Sequence, residues 1–343
     1  MEQKKTRLAA GSRRLDYLDN TKAFAMLMVV LGHCSLVNTY PVLYQWIGSF
    51  HVPVFFVISG ILLGIKKERK GDVTYDLAKK LRTYMLPFYV FSLLNIFVVG
   101  GLKYLADTNE GVTFVKDWLF NVLMLNGRAA NWFLSCLFLA ELIFIFELRH
   151  FRLEIAAAVN VVLAAAALVL PHNVTIVLVF FESFQGLLCL NAGYLLYIKR
   201  NWLKEHIKQG IFLLLAIAYL IILVLNGNTA MNGLESGNYP FLYYFEILLG
   251  SIVILVIFRK IASRPLKLIT WIGQNTIVLL TTHQTVLELI WVIDEHSFGL
   301  LNKMNGALPF VLCMIVVLIE IPVIWVCNHY LYFLFGKKKP GTM

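Results

Sequence analysis

The feature that most constrains the fold of this chain is a succession of long apolar runs that continues almost to its end. Runs of about 20 apolar residues match the roughly 30 Å of hydrocarbon that a transmembrane helix must cross. Only 15% of the residues are charged, against about 25% in a soluble domain. The sequence therefore predicts an all-α integral membrane protein, a bundle of about ten transmembrane helices at residues 22–39, 46–65, 84–105, 131–147, 154–170, 174–197, 210–225, 239–258, 269–291 and 307–334.

Lysine and arginine are distributed unevenly between the connections. Of the 30 basic residues, 26 fall in the two tails, at the mouth of the first run or in alternate connections, and the other four are Lys103, Lys116, Arg128 and Lys303. Because cytoplasmic loops are enriched in these residues, both termini are expected to be cytoplasmic. We expect a cytoplasmic tail at 1–21, a transmembrane domain at 22–335 and a cytoplasmic tail at 336–343.

The net charge of +10 has the same origin. The charge is spread over connections between membrane spans, so we do not expect nucleic acid as a partner. Anionic lipid headgroups of the bilayer are one expected partner. A polyanionic cytosolic ligand is the other.

Three histidines fall within the apolar runs: His33, His51 and His283. An ionisable group at membrane depth is costly and usually lines a functional cavity. For His51 or His283 alone, a ring satisfied by a neighbouring helix explains the residue equally well. Function is favoured for His33, because a basic residue and a second histidine accompany it. No acidic residue stands four positions after any of the three, so we expect no metal site.

Five glutamates also enter the predicted spans: Glu141, Glu182, Glu246, Glu288 and Glu320. For most of them, pairing or protonation inside the bundle is a sufficient explanation. Glu141 and Glu320 are the two that we expect to line the cavity of His33.

A cluster of charges marks the cytoplasmic mouth of the predicted bundle. Asp19 and Lys22 open the first span, and Lys79, Lys80 and Arg82 precede the third. Clustered cations beside aromatic helix starts suit a phosphate-rich nucleotide. Ordinary anchoring explains Lys79 and Lys80 as well, whereas Lys22 and Arg82 stand closest to the hydrocarbon.

These residues together resemble the membrane acyltransferase-3 family, most closely its fucose 4-O-acetylase-like branch. The resemblance runs from residue 15 to about 285. It rests on Leu18-Asp19 with Lys22 and His33, Phe50-His51-x-Pro53-x-Phe55-Phe56-x-x-Ser59-Gly60, Arg82 with Pro87, Trp132-Phe133-Leu134 with Glu141, Gly193-Tyr194, and Gly273-Gln-Asn-Thr276 leading to His283. The family usually has an arginine eleven positions before the histidine that matches His33. Here that position is Lys22, and lysine cannot make a bidentate phosphate contact.

The resemblance implies acetyl transfer from cytosolic acetyl-CoA to a sugar hydroxyl of a cell-envelope polysaccharide or its lipid-linked precursor, in the bacterial cytoplasmic (inner) membrane. It implies His33 as general base, with Glu141 in the catalytic set, and His51 and His283 orienting His33 or the acceptor or stabilising the oxyanion. Lys22 and Arg82, with Asp19 beside them, are the residues expected to hold the coenzyme. A homo-oligomer is left open.

Two other classes of function stay open from the sequence. A polytopic transporter or flippase for a glycan or small polar solute also uses intramembrane acids and histidines, although inverted repeats with paired broken helices are not visible here. A membrane scaffold or sensor would tolerate the loss of these polar groups.

Overall fold

The computed structural model describes residues 15–71, 76–261, 266–297, 299 and 301–337. These residues are helical with short connections, and among them one isolated bridge joins Ala230 to Glu235. The first fourteen residues and most of the predicted C-terminal tail, 338–343, lie outside the described residues. The chain is therefore an all-α protein, as its apolar runs predict.

Sixteen α-helices follow one another in the described part of the chain. They are α1 (Asp16–His33), α2 (Leu36–Thr39), α3 (Pro41–Gly48), α4 (Pro53–Lys70), α5 (Leu77–Lys80), α6 (Leu86–Ala106), α7 (Thr108–Leu123), α8 (Trp132–His150), α9 (Leu153–Val169), α10 (Thr175–Ile198), α11 (Arg200–His206), α12 (Gln209–Asn226), α13 (Pro240–Ile261), α14 (Lys267–Gln274), α15 (Thr276–Ser297) and α16 (Leu308–His329). A π-helical turn, Leu81–Met85, joins α5 to α6.

Eight segments of the described chain are long and apolar enough to cross a membrane. They are Pro41–Lys70, Leu77–Leu105, Ala129–His150, Thr175–Ile198, Gln209–Asn226, Pro240–Ile261, Thr276–Glu295 and Asn305–His329. Two more helices stand where the first and fifth spans were predicted. One is α1, whose first two turns carry Asp16, Asp19 and Lys22, and the other is α9, which is 17 residues long. Ten crossings therefore stay a prediction.

Two predicted spans differ from the observed helices. The first helix begins at Asp16 and ends at His33, because Ser35 adopts a left-handed conformation (φ 58°) that interrupts it. The ninth span is broken at Asn275 into α14 and α15. There the Asn275 amide donates to the Trp271 carbonyl at 2.8 Å, and the Asn275 side-chain oxygen accepts from Lys337 at 2.9 Å.

Local sequence signals account for several helix ends. Pro41 and Pro53 occupy the first positions of α3 and α4, where a missing N–H costs nothing. The Asp76 carboxylate accepts from the backbone N–H of Lys79 at 2.9 Å and caps α5. Gly71, with φ 75°, ends α4 in the left-handed conformation that glycine adopts most readily.

Glycines determine how closely the central helices approach. A Cβ on Gly60 of α4 would overlap the Leu190 carbonyl of α10, and one on Gly193 would overlap the Val57 carbonyl. A Cβ on Gly273 of α14 would likewise overlap the Asp19 carbonyl of α1. Helix α1 contacts α13, α14, α15 and α16 and so lies at the centre of the bundle. Its charged first turns are therefore shielded by protein.

Candidate active site

A cavity of about 310 Å³ lies between α1, α4, α8 and α15. Its wall is largely apolar, and its polar lining includes Lys22, His33, Tyr44, His51, Ser59, Tyr84, Asn232, Glu235 and Thr276. Lys22 and His33 both line it, and eleven residues of helix separate them, or about 16 Å along the axis. The cavity thus follows α1 through much of the membrane thickness.

His33 lines this cavity and contacts Gln284 and His283 of α15. Its side chain is exposed, and Nδ1 lies 2.9 Å from Nε2 of Gln284. The His283 ring lies next to it, with ring centroids 5.4 Å apart. Both histidines were candidate site residues from the sequence, and the structure brings their rings together.

The amide of Gln284 decides which nitrogen of His33 carries the proton. With Nε2 of Gln284 donating to Nδ1, the neutral ring holds its proton on Nε2. The other amide atom, Oε1, is buried without a hydrogen-bond partner among the described residues. A half-turn of the amide exchanges the two atoms. Oε1 then accepts from Nδ1–H, and Nε2 of His33 is left with a lone pair for a substrate.

His51 and His283 have their tautomers fixed by the backbone. Nδ1 of His51 lies 2.7 Å from the Ile47 carbonyl, and Nδ1 of His283 lies 2.8 Å from the Leu279 carbonyl. A carbonyl oxygen only accepts, so Nδ1 carries the proton and Nε2 carries the lone pair in both neutral rings. His51 lines the cavity, whereas His283 is fully buried and its Nε2 has no partner within the described chain.

Glu141 lies behind the cavity wall. Its carboxylate is paired with the Lys80 ammonium group and accepts a hydrogen bond from Ser59. It also accepts from the Tyr84 hydroxyl at 3.2 Å. Ser59 and Tyr84 themselves line the cavity, so Glu141 contacts it through them. We expected Glu141 itself to line the cavity of His33, but it does not.

Glu320, the other acid expected on that wall, is also absent from it. Its carboxylate accepts from the Thr282 hydroxyl at 2.7 Å between α15 and α16. Glu288 accepts from the Asn95 amide at 3.0 Å and pairs with Arg128 at 2.6 Å. Pairing inside the bundle, the simpler interpretation of these acids, therefore accounts for Glu288. For Glu320 one oxygen, Oε1, is buried without a hydrogen-bond partner among the described residues.

The residues predicted to bind a coenzyme are divided by the structure. Lys22 lines the cavity and pairs with Asp19 at 2.7 Å. Gln274 lies 3.5 Å from the same carboxylate of Asp19. Arg82 is exposed and does not line the cavity. Lys80, for which the sequence left nucleotide binding and membrane anchoring both open, is the cation that pairs with the buried carboxylate of Glu141.

The connection 227–239 closes the end of the cavity that is far from Lys22. The Glu182 carboxylate accepts from the backbone N–H of Gly233 at 2.8 Å. The Glu246 carboxylate accepts from the Asn226 amide at 2.8 Å and the Thr229 hydroxyl at 2.9 Å. These buried acids fix the loop, which we call the cap loop, and Asn232 and Glu235 of the cap loop line the cavity.

Chemically, the arrangement offers proton acceptors and one cation in an apolar enclosure. Neutral His51 and His283 accept hydrogen bonds at Nε2 and cannot donate there. His33 serves as either donor or acceptor according to the orientation of Gln284. Within the residues that the structure describes, no group of three His, Cys, Asp or Glu side chains converges as a metal site would require.

The fold and this site define a multi-pass integral membrane protein with a histidine-lined cavity among its central helices. The family model Acyl_transf_3, described as an acyltransferase domain, matches residues 15–328. The chain therefore belongs to this family of membrane acyltransferases, and the resemblance seen in the sequence is confirmed at that level. No curated protein and no solved structure matches the chain.

Proposed function

We propose that the protein transfers an acetyl group from acetyl-CoA to a sugar hydroxyl of a cell-envelope polysaccharide or its lipid-linked precursor, as a fucose 4-O-acetylase-like member of its family. The supporting observation is the cavity that joins Lys22 at one end to His33 and His51, under the cap loop at the other. A donor and an acceptor arriving from opposite faces of a bacterial inner membrane would meet in such a cavity. This proposal includes ten crossings with both termini cytoplasmic.

The donor enters at the end where Lys22 lies. Lys22 contributes a positive charge to the coenzyme phosphates, and its ion pair with Asp19 fixes the direction of the side chain. Arg82 is exposed, so it meets the nucleotide portion that stays outside the cavity. Both contacts are charge-assisted, and losing one would weaken donor binding.

His33 is the general base. A sugar hydroxyl is a weak nucleophile, and it attacks a thioester only as its proton is removed. With Oε1 of Gln284 accepting from Nδ1–H, Nε2 of His33 takes that proton. Gln284 is then a positioning residue that selects the reactive tautomer.

The reaction balances with these groups alone. The hydroxyl oxygen forms a bond to the thioester carbonyl carbon while its proton passes to Nε2 of His33. The tetrahedral intermediate then breaks its carbon–sulfur bond and expels the coenzyme thiolate. The imidazolium of His33 returns its proton to that thiolate, so the products are the acetyl ester and free CoA.

His51 and His283 have different parts in this scheme. Nε2 of His51 accepts a hydrogen bond from the acceptor sugar and orients it, since it cannot donate to an oxyanion while neutral. His283 packs against His33 and sets the angle of its ring. Glu141 acts through Ser59 and Tyr84, whose hydroxyl groups it holds on the cavity wall.

Turnover by the purified protein tests this function. The full chain in detergent is incubated with acetyl-labelled acetyl-CoA and envelope glycan from a strain that lacks the gene. We expect labelled glycan and free CoA in equal amounts, and at least about 10²-fold less of both with His33→Ala. Release of CoA without labelled glycan, or no consumption of acetyl-CoA with any envelope fraction, would contradict the proposal.

A further inference from the structure

A second cavity, separate from the histidine cavity, opens at the end of the bundle that carries most of the basic residues. It has a volume of about 810 Å³, and the two cavities share no lining residue. It lies between α4, α10, α11, α12 and α13, and we call it the basic groove. Its floor is aliphatic and is formed by Ile61, Ile65, Leu196, Leu203, Leu215, Ile252, Leu255 and Val256.

The rim of the basic groove carries a large excess of positive charge. Its cations are Arg69, Arg200, Lys204, Lys208, Arg259 and Lys260, and Glu68 is the one acid among its lining residues. Glu68 is already paired with Arg200 at 2.6 Å. Lys260 lies over the Phe212 ring, 4.8 Å from its centroid. The other four cations make no ion pair within the described part of the chain.

Helix α12 forms one wall of the groove with Gln209, Phe212 and Leu215. In the middle of the same helix, the hydroxyl groups of Tyr219 and Ser49 are hydrogen-bonded at 2.6 Å. Leu213 and Leu214 of α12 do not line the groove and are 59% and 67% exposed. The short helix α11 lies beside the opening with Trp202 55% exposed, the position typical of tryptophan at a membrane–water interface.

Charge and polarity together identify the chemistry of the occupant. A free phosphate would make no contact with the aliphatic floor, and an uncharged lipid would leave the cations without an anionic partner. An amphiphile with an anionic phosphate head and acyl chains satisfies both surfaces, and basic pockets between helices are suited to such headgroups. The exposed leucines of α12 indicate that this helix meets lipid on its outer side, so the groove that α12 borders adjoins the bilayer.

We propose that the basic groove binds one anionic phospholipid. Its phosphate lies among Arg69, Lys204, Lys208 and Arg259, and one acyl chain lies on the floor beside Ile65. This site is independent of the acetyl-transfer site, so either assignment can fail without the other.

Titration of the full chain in detergent with phosphatidylglycerol, read by native mass spectrometry, tests the site. A groove variant carries Lys204→Gln, Lys208→Gln and Arg259→Gln. A matched control variant carries Arg152→Gln, Lys199→Gln and Lys267→Gln, which removes three charges outside the groove. We expect the groove variant to bind phosphatidylglycerol at least about tenfold more weakly, and the control to stay within about twofold of the parent.

A charge-neutral variant checks the floor. Ile65→Trp fills the aliphatic part of the groove and should reduce phosphatidylglycerol occupancy several-fold while the elution profile of the protein stays unchanged. Phosphatidylcholine with the same acyl chains should bind no more tightly to the parent than to the groove variant. If the groove and control variants lost phosphatidylglycerol binding equally, the binding would depend on surface charge in general, and the proposal would be overturned. Displacement of the lipid by acetyl-CoA, with acetyl-CoA affinity lost in the groove variant, would instead make the groove a donor site.

Discussion

The side-chain amide of Gln284 lies 2.9 Å from Nδ1 of His33, although 251 residues separate the two in sequence. This contact couples the end of α1 to α15 at the edge of the cavity. It also determines whether the cavity meets a proton donor or a proton acceptor at Nε2 of His33. The proposed mechanism requires the acceptor, with Oε1 of Gln284 holding the proton on Nδ1.

Replacing Gln284 with leucine removes that oxygen and should lower turnover by roughly tenfold, because only part of the rings then hold the reactive tautomer. The loss should be smaller than that for a general base, which is about 10²–10⁴-fold. Gln284→Glu keeps an accepting oxygen and should restore most of the activity. If Gln284→Leu works at the parental rate, or if Gln284→Glu is as impaired as Gln284→Leu, the amide does not position His33.

The ion pair between Lys80 and Glu141 should contribute strongly to stability. Glu141→Ala leaves the ammonium group of Lys80 without its partner in a largely buried position, which typically costs about 3–5 kcal/mol. Thermal unfolding in detergent measures this. Glu154→Ala is the matched control, because the pair between Glu154 and Arg152 is exposed and such pairs contribute about 0–1 kcal/mol. Equal effects of the two substitutions would contradict the placement of Glu141.

A paired substitution separates stability from catalysis at this position. Lys80→Met combined with Glu141→Leu removes both charges and should recover much of the lost stability. Its turnover should stay low, since Ser59 and Tyr84 lose the carboxylate that holds their hydroxyl groups. Full activity in the double variant would reduce Glu141 to a structural role.

Donor binding should depend on Lys22 and Arg82. Substituting either by alanine should raise the acetyl-CoA concentration needed for half-maximal rate by roughly ten- to a hundredfold, the effect of losing a charge-assisted contact. The requirement for acceptor should change less. Arg152→Ala, at an exposed position remote from the cavity, should have no effect. If Arg82→Ala leaves the acetyl-CoA dependence unchanged, Arg82 does not contact the donor and serves only to orient the protein in the membrane.

The orientation follows from the basic residues and can be measured by labelling introduced cysteines. In intact cells an impermeant thiol reagent should reach Asn109→Cys and Ser236→Cys and should miss Lys70→Cys until the cells are opened. The native cysteines are free, and four of the five are buried, so their background should be low. Labelling of Lys70→Cys from outside would show that the orientation or the number of crossings is wrong.

The apolar runs were sufficient to locate most helices, because length and hydropathy decide a membrane span almost locally. They did not predict the break at Asn275, where the stabilising contact comes from Lys337, far away in the chain. Nor did they predict that α1 begins at Asp16, because Asp16, Asp19 and Lys22 in its first two turns precede the apolar run. Acidic residues are favourable at a helix N-terminus, so a helix can start before the apolar run does.

The candidate site was predictable in part. Lys22 and His33, predicted on one helix, and His51, predicted on the next span, all line one cavity. Gln284 was missed because a glutamine beside His283 carries no signal of its own, although a polar residue at that depth could have been noted. Lys80 and Tyr84 are four residues apart, on one helix face, and that spacing could have indicated their shared contact with Glu141.

Turnover of His33→Ala at equal membrane abundance tests whether His33 is the general base. The substitution should leave the protein inserted and folded, because the ring faces a cavity, and should lower acetyl transfer by at least about 10²-fold. His51→Ala and His283→Ala should cost less, since these residues orient the acceptor and the base. If His33→Ala transferred acetyl groups at a near-normal rate while His283→Ala did not, the general base would lie on α15 and His33 would not be the base.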